Sequence, residues 1–120
     1  MDRVLIALAA LAGLAGVALS AASAHVTGGG TAETAARFLL LHAPVLLGAV
    51  ALARTGALRP GLARIAAWAI LAGVALFSGD LALRALRGFT LHRLMAPAGG
   101  VVLMIGWAGL AVSALLAPRR

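Results

Sequence analysis

The sequence predicts an all-α membrane protein: four transmembrane helices in an up-down-up-down bundle. Three observations carry this prediction. Of the 120 residues, 63% are hydrophobic and the mean hydropathy is +1.09, more apolar surface than a soluble fold of this size can hide. Four apolar runs, at residues 4–24, 35–53, 62–86 and 94–117, match the ~20 residues that a helix needs to cross ~30 Å of hydrocarbon, the second being the shortest. Charged residues make up only 11% of the chain and crowd into the gaps between those runs, as expected when lipid is the solvent. Backbone polar groups in lipid must be satisfied within the segment, so continuous apolar runs form helices. The connections "HVTGGGTAET", "RTGALRPG" and "RGFTLHR" are short, which makes sequence neighbours antiparallel neighbours in space, within one four-helix domain over residues 1–120.

The first run admits two readings. Arg3 supplies a positive start and Ala22-Ser23-Ala24 has the small residues that a signal peptidase prefers. Against this, the apolar stretch Val4 to Leu19 is longer than the ~7 to 15 residues of a signal-peptide core, and small residues extend it to full helix length, so a retained helix ending near His25 is expected. Gly28-Gly29-Gly30 then forms a flexible connector; it lacks the preceding strand and the Gly-Lys-Ser/Thr ending of a phosphate loop.

The second run, "FLLLHAPVLLGAVAL", holds His42 within the apolar region, with Arg37 just before it. The third carries Asp80 and Arg84, whose i,i+4 spacing puts them on one helix face. The fourth opens on Pro97, Gly99 and Gly100, expected to let the helix begin with a kink against its neighbours. Small residues recur every four positions in Ala9 and Gly13; Gly16, Ser20 and Ala24; Ala69 and Gly73; and Gly109, Ser113 and Ala117. Such stripes let helix backbones approach closely in lipid.

The net charge of +7 arises from ten Arg, with no Lys, against Asp2, Glu33 and Asp80. The arginines flank the apolar runs instead of interleaving with aromatics, so they read as headgroup anchors and no nucleic-acid partner is implied. Zero Cys excludes disulfides, thiolate metal sites and Cys nucleophiles. Arg3, Arg54, Arg59, Arg64, Arg119 and Arg120 fall on one side of the four-helix topology and Arg37, Arg84, Arg87 and Arg93 on the other, a bias that favours both termini in the cytoplasm.

One further pattern spans the chain. Phe77-Ser78-Gly79, then Pro97-x-Gly99-Gly100, then Gly106-Trp107, together with His42 in the second run and Ala24-His25 at the end of the first, resembles domain of unknown function 423, the YgdD-like small bacterial inner-membrane proteins. Ser20 and Ser23 stand where that family often has Gly, and Asp80 stands where many members have a residue resembling Ser. The resemblance implies four transmembrane helices in a bacterial plasma membrane, and it implies no established activity.

Counting depth from helix starts at the expected boundaries puts His42 ~10 Å and Asp80 ~9 Å from the same membrane face. With Arg37, Arg84 and His25 toward that face, the expected candidate site is a polar cluster of His25, Arg37, His42, Asp80 and Arg84 in the outer half of the bundle. An ionisable residue inside a membrane is a functional hypothesis by default. The alternatives for Asp80 and Arg84 are an ion pair that staples helices or part of a ligand or proton site; for His42, an interhelical hydrogen bond. His25, His42 and Asp80 have metal-ligand chemistry, but their spacing fits no compact metal motif, and nothing calls for a cofactor. No Ser-His-Asp arrangement or carboxylate pair is legible, so no enzyme is expected. The leading expectation is a structural or accessory integral membrane protein; the alternative is a small transporter or channel using Asp80 and His42 for proton or ion coupling. Its partners are the lipid bilayer and, left open, a second copy or another membrane protein.

Overall fold

The computed structural model describes residues 2–118, so Arg119 and Arg120, which enter the charge count above, lie outside the described residues. The chain is all-α. Helix α1 spans Asp2–Ala22 and closes on a wide π-helical turn, Ser23–Thr27; α2 spans Thr31–Thr55, α3 Pro60–Arg87 and α4 Met95–Leu115. Each of the four is long and apolar enough to cross a membrane.

Local chemistry sets the boundaries. Helix α2 starts at Thr31, four residues before the expected Ala35, although "TAET" is polar. Glu33 lies in the first turn, where a carboxylate favours the helix dipole, and Arg37 pairs with it one turn later at 2.7 Å. Pro60 opens α3 at its first position, where the missing N–H costs nothing. Gly56 and Gly88 end α2 and α3 in the left-handed conformation, each returning its N–H to carbonyls of the last turn. Pro97 falls in the first turn of α4, where no N–H is needed, so it marks a start and the expected kink has no cause there.

Helices α2 and α3 are central: α1 packs on α2, α4 packs on α3, and α1 and α4 share no comparable contact. Burial follows that order, since 44% of the apolar window of α2 and 39% of that of α3 is buried against 22% for α1 and for α4. The molecule measures 51 × 25 × 20 Å, and its long axis exceeds the ~30 Å hydrocarbon thickness. The start of α1, the end of α4 and the α2–α3 connection lie at one end, the terminal end, where Asp2 meets Arg54 and Arg64 and Ser113 meets Arg59; the α1–α2 and α3–α4 connections lie at the other, the hairpin end. Large side chains such as Leu14, Val17, Leu41, Met104, Ile105 and Leu115 stay exposed on the outer faces, an apolar girdle that suits a lipid surround.

Glycine sets the closeness of α3 and α4. A Cβ on Gly99 would lie 2.6 Å from the Phe77 nitrogen, one on Gly106 would lie 2.9 Å from the Ile70 nitrogen, and one on Gly73 would lie 2.7 Å from the Leu103 nitrogen. Backbone touches backbone there, as in small-residue packing of membrane helices. Gly79 and Gly100, grouped with them by the sequence pattern, have open space around them and take no part in the approach.

Candidate functional site

The five residues of the expected polar cluster fold into four separate environments. His42 is buried on α2 (8% exposed) and lies between two partners. Its Nδ1 is 2.7 Å from the Phe38 carbonyl, and the Trp107 indole N–H donates to its Nε2 over 3.2 Å. A carbonyl only accepts and an indole N–H only donates, so Nδ1 carries the proton, Nε2 offers its lone pair, and the ring is neutral. Phe38 stacks on the imidazole at 5.6 Å, and Phe77 of α3 packs on Phe38 at 4.3 Å. The assembly pins α4 to α2 across the face of α3.

Asp80 is completely buried on α3. One carboxylate oxygen accepts the Leu91 N–H at 3.3 Å, which ties the α3–α4 connection back onto its own helix. The other lies 2.6 Å from Nη2 of Arg84 in an ion pair, and the buried Nε of Arg84 has no acceptor among the described residues. About a third of the Arg84 side chain stays exposed, so the pair reaches toward the headgroup level.

The two remaining members stand apart. Arg37 is exposed and satisfied by Glu33 on its own helix. His25 is exposed on the π-helical turn. The expected single cluster of His25, Arg37, His42, Asp80 and Arg84 is therefore not formed. The register between α2 and α3 gives the reason: the Ser78 hydroxyl donates to the Ala35 carbonyl at 3.0 Å, which sets Asp80 near the level of the first turns of α2. His42 is seven residues beyond Ala35, so it lies ~10 Å deeper by helical rise. The earlier start of α2 carries His42 toward the middle of the span, away from Asp80.

Three polar contacts were not anticipated. Trp107, named above within the Gly106-Trp107 pattern, is the partner of His42. Depth counting from the observed starts would have found it, since His42 is eleven residues past Thr31 and Trp107 twelve past Met95, both entering from the hairpin end. Ser113, buried near the end of α4, donates its hydroxyl to the Arg59 carbonyl while the Arg59 N–H donates to the Ser113 carbonyl, both at 3.0 Å. Asp2 joins three helices at the terminal end, accepting from Nε of Arg54 at 3.4 Å and from Nε of Arg64 at 3.2 Å.

The DUF423 family, described as a protein of unknown function, matches residues 19–100. The chain belongs to the DUF423 family. The matched span takes in Ala24-His25, His42, Phe77-Ser78-Gly79 and the Pro97 to Gly100 stretch, and it ends before Gly106-Trp107. No curated protein and no solved structure matches the chain. The DUF423 segment thus holds the imidazole and the buried carboxylate, while the indole partner of His42 comes from outside it.

Proposed function

We propose that this DUF423 protein is a structural or accessory component of a bacterial plasma membrane, without chemistry of its own and with both termini in the cytoplasm. The observation that carries this reading is how the buried polar side chains are used. Ser78 ties α3 to α2, Trp107 and His42 tie α4 to α2, Ser113 ties α4 to the α2–α3 connection, and Asp80 ties α3 to its exit loop. In lipid these contacts take over part of the role that water exclusion plays elsewhere. A proton or ion path needs ionisable groups within reach of one another along the span, and His42 and Asp80 are separated in depth and occupied by different partners.

The test is flux from reconstituted vesicles loaded with a pH-sensitive dye, comparing the wild-type chain with Asp80→Asn. No proton or ion flux in either, with the variant less stable by about 2 kcal/mol as Arg84 loses its counter-ion, supports the accessory role. A wild-type flux abolished by Asp80→Asn makes the protein a transporter or channel and overturns it.

A further inference from the structure

A partly enclosed cavity lies at the terminal end, away from His42 and Asp80. It has a volume of about 220 Å³ and is walled by Leu5 of α1, Val50 of α2 and Ala67 of α3, all buried, with Asp2, Arg54 and Arg64 at its edge. The same three residues, joined by Arg3, line a second, open depression of about 440 Å³. An apolar chamber and an ionic bowl therefore share one rim. Leu5, Val50 and Ala67 are three or four residues inward from Asp2, Arg54 and Arg64 along their helices, so the apolar chamber lies ~5 Å deeper in the span.

The rim is positively charged. One carboxylate faces three arginines, and Arg54 and Arg64 each use Nε on Asp2, leaving their terminal NH₂ groups without a hydrogen-bond acceptor among the described residues. Both side chains are well exposed, at 60% and 40%. Two guanidinium forks held by a shared carboxylate are suited to an anionic oxygen group such as a phosphate. The chamber is below the ~300 Å³ at which pockets take whole small molecules, which suits the end of a chain whose remainder lies elsewhere.

We propose that this end of the protein binds one anionic phospholipid, its phosphate on Arg54 and Arg64 and an apolar chain entering between Leu5, Val50 and Ala67. Basic pockets between transmembrane helices recognise anionic headgroups in this way. The site does not depend on the accessory role proposed above, because it shares no residue with the Asp80 test.

The experiment is native mass spectrometry of the full chain released from phosphatidylcholine vesicles containing a minor fraction of phosphatidylglycerol. One phosphatidylglycerol per chain is retained in preference to phosphatidylcholine. Arg54→Gln and Arg64→Gln each lower that preference about fivefold. Arg59→Gln, at the same end but lining neither cavity, leaves it unchanged, and Asp2→Asn, which removes the carboxylate charge and one of the two acceptor oxygens, keeps or raises it. Excess inorganic phosphate does not displace the lipid. Equal loss in Arg59→Gln would reduce the effect to general surface charge and overturn the proposal. So would loss in Asp2→Asn together with the two arginine variants, which marks a shared folding defect, or displacement by inorganic phosphate, which marks a free-anion site.

Discussion

His42 illustrates how a side chain inside a span is defined by its neighbours. The residue type admits a metal ligand, a proton carrier or a hydrogen bonder; the Phe38 carbonyl on one nitrogen and the Trp107 indole on the other leave it as a neutral bridge. Trp107→Phe keeps the aromatic bulk and removes the donor, leaving Nε2 unpaired. Hydrogen bonds between membrane helices average ~0.6 kcal/mol, so this variant is expected to lower thermal stability in detergent by about that amount, with helicity by circular dichroism unchanged. A loss of several kcal/mol would mean that Trp107 does more than hold the imidazole. The presence of His42 and Asp80 in apolar runs was legible from residue type alone. Their separation was not, because it depends on four extra residues at the start of α2 and on the Ser78 to Ala35 register.

At the scale of the helices, small residues decide which pairs approach. The four-residue stripes in the sequence pointed to close packing, and it occurs, but spacing alone did not separate glycines at an interface from glycines elsewhere. Gly99 and Gly106 face the α3 backbone, whereas Gly79 and Gly100 face open space. Gly99→Ala and Gly106→Ala force α3 and α4 apart and are expected to cost about 1–3 kcal/mol each, as overpacking does. Gly79→Ala and Gly100→Ala add a methyl group where nothing is displaced and are expected to cause no loss, with a gain of up to ~1 kcal/mol from helix propensity. Melting of the four variants in one detergent checks the contrast; equal losses at all four positions would rule out the packing account. The helices themselves were legible because a span must be continuous and apolar. Their ends shifted by a few residues because Glu33 with Arg37, Pro60, Gly56 and Gly88 act locally.

For the whole molecule, an even number of spans puts both termini on one side, and the proposed cytoplasmic placement of that side rests on the arginine bias. The absence of cysteine makes the test direct. Single cysteines at Ala57 and Thr90, exposed on connections at opposite ends, are expected to react from opposite faces of the membrane with an impermeant thiol reagent, Thr90→Cys in intact cells and Ala57→Cys only after permeabilisation. Mass spectrometry of the labelled chains also reads whether residues 1–24 remain. Helix α1 buries Leu5, Ala9, Ala12 and Gly16 in the fold and contributes Asp2 to the ion cluster, so their retention is expected. Labelling of both positions from the same face would contradict the topology. The sequence by itself determined the solvent, the number of spans and the family, because these follow from how apolar residues, arginines and short motifs are distributed along the chain. Only the tertiary structure decided which polar residues meet. Between helices that depends on axial register and on the direction each side chain faces, set by packing contacts such as Gly99 on Phe77 and Ser78 on Ala35, and these lie between segments far apart in the sequence.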